Sequence, residues 1–574
     1  MLTRRLLPLG RPVGSGAIRS FGQRRTVAGF SRSNPEQVKL NQVTVQLNPS
    51  STLSKSELKE QAIKLISGNL RVPSTHDAAV ILASKGLAPW LDDQQFISRL
   101  LGATATSRTG CRLTVLTAAV DEVPRYDKNG AFASGEGISI LPTKSDSLLP
   151  GLWSSAPGEG NSFTAPTRPF IEFHASPIGQ GPRPEPSLQV TVPLANTVFE
   201  TGRPHALAAS EWTATGDAAP SSGQVWAMGQ RVEKTTQTVI LPPTSEEGSL
   251  LSTSLIPLTK PRKILSGLGN ILRQVDVDSV ETPASTELEK IIPTLLKKRL
   301  QHLNEAKQQE ETEQGSGPVG VWALIIPKEV AAAVSIADRY IAPIPLGYYK
   351  GLGHYKLSGE WELAQVTSPY IGRLLSWGCQ LRKILSGGGG WGAKKGLLSL
   401  DPETSLETQD HEDLENFIRS FKGEDSSNGS GIVTPGSYVQ FFTEGIYPRA
   451  YGQKAFYPNG SAYALGTPFE RKPEEDKKKN KKGSEQINDP KRGWKADPGL
   501  FGALSSEGIY ISSDDLGSGK FKTKIDAPSS CVVVAPSFPI ALKSSDGDID
   551  VEDIDQFGKV GVMEDQSGVG EERK

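Results

Sequence analysis

The stretch RKILSGGGGWGAKKG, residues 382–396, is the most constrained segment of this chain. Gly387, Gly388, Gly389, Gly390, Gly392 and Gly396 give it a backbone able to reach φ > 0 almost anywhere. One large indole, Trp391, and two cations, Lys394 and Lys395, are set among them. Upstream, Ser368-Pro369 reads as the start of a helix. Ile371, Leu374, Leu375, Gly378, Leu381, Ile384 and Leu385 then form an apolar stripe at helical spacing. On this reading the loop follows the negative end of a helix, where Arg382 and Lys383 act as counter-charges.

A phosphate cradle needs the opposite order, a glycine-rich turn opening a helix whose N–H groups meet the anion. A Walker-type loop is also excluded by spacing, because Ala393 separates Gly392 from Lys394 and no Ser or Thr follows Lys395. The loop is then either a helix cap with Trp391 as a packing anchor, or a contact site for a ligand or nucleic acid. In the second case Gly388, Gly389 and Gly390 allow close backbone approach, Lys394 and Lys395 hold phosphate, and Trp391 stacks on a base. The hexapeptide RKILSG occurs twice, at 262–267 and 382–387. The two copies are read as closing equivalent helices, but their flanks do not extend the likeness far enough to establish a duplication.

The first 35 residues carry seven arginines (Arg4, Arg5, Arg11, Arg19, Arg24, Arg25 and Arg32) and no acid before Glu36. Arg-rich, Ser-containing and acid-free, this segment is the composition of a mitochondrial presequence; Arg11 interrupts the apolar core that a secretory signal would need. Removing seven positive charges from a chain of net charge −1 leaves −8. A mature protein so acidic does not bind nucleic acid over its whole surface, so any RNA contact needs a local basic patch. No apolar run reaches the roughly 18 residues of a transmembrane helix, which leaves peripheral contact as the route to a membrane. Cys111, Cys379 and Cys531 form neither a CxxC pair nor a disulfide framework, in keeping with a reducing matrix.

Along the chain, Ser54 and Glu57 make a capping box before a helix that Gly68 ends. Residues 78–83 read as a buried strand, 92–101 as a helix, 112–120 as the clearest strand, and 137–141 as its neighbour. In three places this region resembles FIST-type domains: DAAVILAS (77–84), LLGATATS (100–107) and GISIL (137–141). The resemblance covers only the first third and implies binding of a small polar ligand rather than catalysis. Residues 146–186 are dominated by Gly, Pro and Ser and read as a long loop. Further strand material follows at 188–192 and 225–241, a charged helix at 287–314, and an apolar run at 319–326. Strands at 508–511 and 531–535 complete the ordered part.

The fold class is α/β or α+β, with mixed sheets, flanking helices, two domains, and disordered loops and tail. The divisions are a presequence (1–35), an N-terminal α/β domain with a Gly/Pro-rich insertion (40–280), a charged helical linker (281–317) and a C-terminal domain (318–542). The last carries the glycine-rich loop 386–396 and a lysine-rich loop 470–495, and an acidic tail (543–574) follows it.

No catalytic motif emerges. His76, His174, His205, His302, His354 and His411 are scattered without metal-ligand spacing, and no G-x-S-x-G elbow or strand-borne G-x-G-x-x-G occurs. His76-Asp77 and Asp401 read as turn or capping residues rather than catalytic ones. No catalytic residue, metal ligand or cofactor is assigned. The expectation is a non-catalytic accessory or binding protein of the mitochondrial matrix, with mitochondrial proteins and a local RNA contact as its partners. It would support mitochondrial gene expression or respiratory assembly. The alternatives are a FIST-like small-ligand binder and a phosphate- or nucleotide-handling enzyme built on the glycine-rich loop.

Overall fold

Apolar runs with polar residues at neither alternate position belong in the middle of sheets, covered on both faces. Strand β2 (Ala78–Ser84) is such a run and is buried throughout. Its alternation sends Val80 and Leu82 into one core and Ile81 and Ala83 into another. It pairs in parallel with β3 (Arg112–Val120) and antiparallel with β6 (Gly137–Thr143). Residues 137–143 thus neighbour β2, not β3 as the sequence suggested, because the 78–84 run takes the central place. The sheet is completed by β9 (Leu207–Thr215) and β10 (Val225–Glu233) on one side, and by β1 (Val43–Leu47) and β22 (Trp494–Pro498) on the other.

The computed structural model describes residues 41–49, 51–70, 72, 75–105, 110–127, 132–154, 168–175, 188–215, 224–242, 247–307, 319–337, 357–387, 396–404, 406, 432–445, 461–469, 493–515 and 519–536. The expected presequence (1–35), the acidic tail and residues 470–492 of the lysine-rich loop lie outside them.

Two helices cover one face of this sheet as expected. In α1 (Lys55–Asn69) the capping box is formed, with Ser54 and Glu57 bonding each other's backbone N–H, and Ala62, Ile63 and Ile66 are buried. In α3 (Gln94–Thr104) Asp93 caps Phe96 N at 3.0 Å, and Phe96, Ile97, Leu100 and Leu101 face inward. Three short helices, α2 (Ala88–Leu91), α4 (Ser145–Leu148) and α5 (Val198–Thr201), sit in connections.

Three further sheets follow. One has five strands in the order β11 (Thr236–Ile240), β7 (Phe170–Ala175), β8 (Leu188–Pro193), β24 (Ile509–Asp515) and β25 (Gly519–Ile525). Strand β7 lies inside the span expected to be a loop, because FIEFHA alternates cleanly between apolar and polar. Another has four strands: β12 (Glu247–Ser252), β26 (Cys531–Pro536), β21 (Ala462–Gly466) and β23 (Leu500–Leu504). Strands β4 (Val123–Tyr126) and β5 (Phe132–Gly135) form a separate hairpin.

The last sheet closes on itself. Strands β14 (Arg262–Leu268), β15 (Ile271–Val277), β19 (Leu398–Leu400), β18 (Gln380–Gly387), β17 (Val321–Ile326) and β20 (Tyr438–Glu444) pair antiparallel in that order, and β20 returns to β14. The result is a six-stranded barrel whose alternation fills the interior with Ile264, Leu272, Val275, Ile325, Leu400 and Phe441. Strands β13 (Leu255–Pro257) and β16 (Val280–Pro283) extend it at β20 and β15.

All four large sheets contain strands from both sides of residues 281–317, so the expected boundary runs through sheets. The helix there, α6 (Thr286–Lys307), buries Leu288 and Leu295 and ties Arg299 into the barrel's surroundings, which corrects its reading as a linker.

Both RKILSG copies are strands, in β14 and β18, and neither closes a helix. Helix α8 (Leu357–Ser376) begins before Ser368-Pro369, which lie in its interior, and ends at Gly378, where φ is 88°. Cys379 N bonds Leu374 O there at 3.0 Å. The stop is therefore Gly378, and the stripe beyond it belongs to a strand. Helix α7 (Lys328–Ala337) connects β17 toward α8.

Candidate functional site

The alternation of FIEFHA decides what the five-stranded sheet presents. Ile171 and Phe173 enter the core with Val190, Val192, Val239, Ile509 and Ile525. The opposite face is polar and mostly half-buried. Its register aligns Thr238, Glu172, Thr191, Tyr510 and Lys524 across five strands. A second row holds His174, Gln189, Ser512 and Lys522.

These side chains hold one another in place. His174 Nε2 lies 2.9 Å from Glu172 Oε2, and the Thr238 hydroxyl donates to the same oxygen at 3.3 Å. The His174 imidazole beside it keeps the Glu172 carboxyl below its ordinary range, against an opposing push from burial. The Ser512 hydroxyl donates to Gln189 Oε1 at 2.8 Å. Lys524 stands 5.9 Å above the Tyr510 ring. Its ammonium donates to Asp401 Oδ2 at 3.2 Å and Glu403 Oε2 at 2.5 Å. Arg168 reaches Glu403 Oε1 at 3.0 Å. Burial raises the Tyr510 phenol far above its ordinary value, so it stays protonated.

Asp401 and Glu403 reach this face because β19 ends where the barrel meets the sheet. Asp401 Oδ1 accepts from Glu403 N at 3.0 Å, the turn contact expected from Asp401-Pro402. Below them Arg382, nearly fully buried, donates from Nη1 to the carbonyls of Asp401 (2.9 Å) and Glu403 (3.1 Å), and from Nη2 to Gln380 (2.8 Å). Burial pushes its guanidinium down to about 10, still charged at neutral pH. Arg382 is therefore a buried strut of the barrel, not a helix counter-charge.

This face can recognise a partner through donors and acceptors in fixed positions. Glu172 gives a direct test. Its carboxyl should titrate below the unperturbed 4.5 in carbon-detected NMR, and His174→Ala should move it upward. Because the folded value is depressed, the stabilisation is present above 4.5 and lost as pH falls through the folded value. An unmoved titration in His174→Ala would break the pairing described.

The sequence-derived contact residues Gly388, Gly389, Gly390, Trp391, Lys394 and Lys395 lie outside the described residues. Their flanks are placed: Gly387 faces Leu398 in the β18–β19 hairpin, and Gly396 has φ +88° against Pro283. Asp77 does cap: it accepts from Ser145 N at 2.8 Å and Ser145 Oγ at 2.7 Å, at the start of α4. The three stretches carrying the FIST resemblance lie in β2, at the end of α3 and beyond, and in β6. They border a cavity of about 20 Å³ lined by Ala78, Ile81, Leu100, Leu101, Leu113 and Ile140, room for about one water. Among the described residues no three His, Cys, Asp or Glu side chains gather as a metal site.

Sequence reasoning missed Glu172, His174, Lys524, Tyr510, Arg168 and Glu403. The period-2 alternation of FIEFHA and of GKFKTKI was the available signal. It shows that these residues share a face, but not that the two strands share a sheet. No protein-family model, no curated protein and no solved structure matches this chain.

Proposed function

We propose that this chain is a non-catalytic binding protein of the mitochondrial matrix that supports gene expression or respiratory assembly there. The observation that carries the reading is the polar face of the five-stranded sheet. Glu172, His174, Asp401, Glu403 and Lys524 are paired in place before any partner arrives, which lowers the ordering cost of recognition. The acid-free, arginine-rich first 35 residues support import. The charge of −8 left after their removal favours a protein partner over general nucleic-acid binding. Among the described residues no helix is long and apolar enough to cross a membrane.

The test is capture from mitochondria by the tagged mature protein, with and without nuclease. Wild type is compared with His174→Ala/Lys524→Met and with Lys394→Ala/Lys395→Ala. The expected result is a defined set of proteins, resistant to nuclease, that the sheet-face variant loses at least tenfold. Co-purifying RNA lost only in the lysine pair would move recognition to the glycine-rich loop. Equal capture by all three would overturn the assignment.

A further inference from the structure

The two RKILSG copies occupy β14 and β18, on opposite sides of the barrel, and their strand pairings correspond position by position. Lys263 faces Tyr438 and Lys383 faces Trp322. Ile264 faces Val275, and Ile384 faces Leu400. Each strand then bulges, skipping Leu265 or Leu385, before Ser266 meets Gln274 and Ser386 meets Ser399. The correspondence closes on itself, as a two-fold axis requires. The pair Phe441–Ala323 maps onto Ile325–Val439, while Leu272–Leu398 and Leu324–Gln440 each map onto themselves. In chain order the units are β14–β15–β17 and β18–β19–β20, and each third strand pairs with the first strand of the other unit. One difference is Arg273, an extra residue in β15 that β19 lacks.

The two outer faces differ in what covers them. On the second unit lies β25. Leu381 N bonds Thr523 Oγ1 at 3.0 Å, Lys524 sits between Asp401 and Glu403, and Asp526 accepts from Trp322 Nε1 at 2.7 Å, with Lys383 at 3.9 Å. The equivalent positions on the first unit are Lys263, Asp276, Asp278 and Tyr438. Lys263 is exposed, Asp276 and Tyr438 are half-buried, and the Asp278 side chain, 77% exposed, accepts from Arg262 Nη1 through Oδ1 at 3.1 Å. Asp276 Oδ1 is shielded from water without a hydrogen-bond partner, whereas its counterpart Asp401 holds a lysine.

We infer that residues 262–326 and 382–444 are two copies of one three-stranded unit with exchanged third strands, and that the first copy's outer face, over which no described strand lies as β25 does on the second, docks an extended segment of a partner protein. That segment carries a lysine followed two residues later by an acid, as Lys524 and Asp526 do. The lysine meets Asp276 and Asp278, and the acid meets Lys263 and the Tyr438 hydroxyl. Pro261 stands where Leu381 donates its N–H, so the threonine contact of β25 is not reproduced. This surface is separate from the polar sheet face and stands or falls independently of it.

The probe is a labelled peptide with the sequence of residues 519–527, GKFKTKIDA, titrated into the full chain and followed by fluorescence anisotropy. Saturable binding is expected, weakened about tenfold by Asp276→Asn, by Lys263→Glu, and by methionine in place of the peptide lysine equivalent to Lys524. Unfolding midpoints equal to wild type confirm that both protein variants are folded. Asp401→Asn should leave the affinity unchanged. Absence of saturable binding overturns the proposal. So does binding that Asp401→Asn abolishes and Asp276→Asn does not, because the peptide would then be displacing β25 from the second unit.

Discussion

Replacing Arg299 by methionine should destabilise the protein by about 3–5 kcal/mol, the cost of breaking a buried ion pair by removing one member. Arg299 comes from α6 and Glu360 from α8, and their side chains are 5% and 0% exposed. Arg299 Nε and Nη2 each donate to one Glu360 oxygen at 2.9 Å, a bidentate geometry, and Nη2 also reaches Glu444 O at 2.6 Å. Removing the arginine takes two bonds from the Glu360 carboxylate and one from the carbonyl of Glu444. The measurement is the urea unfolding midpoint, with the slope checked for constancy. Arg299→Met/Glu360→Leu should recover most of the loss, since replacing a whole buried ion pair with apolar residues is often neutral or stabilising. A single substitution costing less than about 1 kcal/mol would place the pair in water, at the value of a surface ion pair.

Trp322→Ala should cost a similar amount, about 3–5 kcal/mol for deleting a large buried aromatic. Trp322 is 2% exposed and lies on the outer face of β17, where the barrel packs against β25. Its indole donates to Asp526 Oδ1 at 2.7 Å, and Lys383 lies 5.8 Å over the ring. The substitution therefore opens a cavity and also deprives a carboxylate of its donor. Trp322→Phe separates the two effects: it keeps most of the volume and should lose about 1–3 kcal/mol through the orphaned acceptor. Equal losses for both variants would mean that packing contributes little at this junction.

Much of the local structure was legible because local signals settle it. The capping box at Ser54 and Glu57, the inward stripe of α3, and the strands at 78–84 and 112–120 all formed as their patterns indicated. The mixed α/β class followed from the same periodicities. The hexapeptide misled because RKILSG sits behind an amphipathic helix, so its Ile and Leu extend a helical stripe as readily as they alternate in a strand. Gly378 is the stop that separates the two readings. The stretch FIEFHA was hidden in a span rich in Gly, Pro and Ser, whose composition outweighed six alternating residues.

Sequence by itself determined the class of the fold, its best-capped helices, the buried central strands, and the presence of an echo between residues 262–267 and 382–387. Tertiary structure decided everything that depends on pairing between distant strands. Closure of the barrel joins β14 to β20 across more than 170 residues, and the polar face exists because β8 meets β24 across more than 300. Periodicity encodes which side chains share a face of one strand, whereas strand partners are chosen by long-range burial and register, which no local pattern contains.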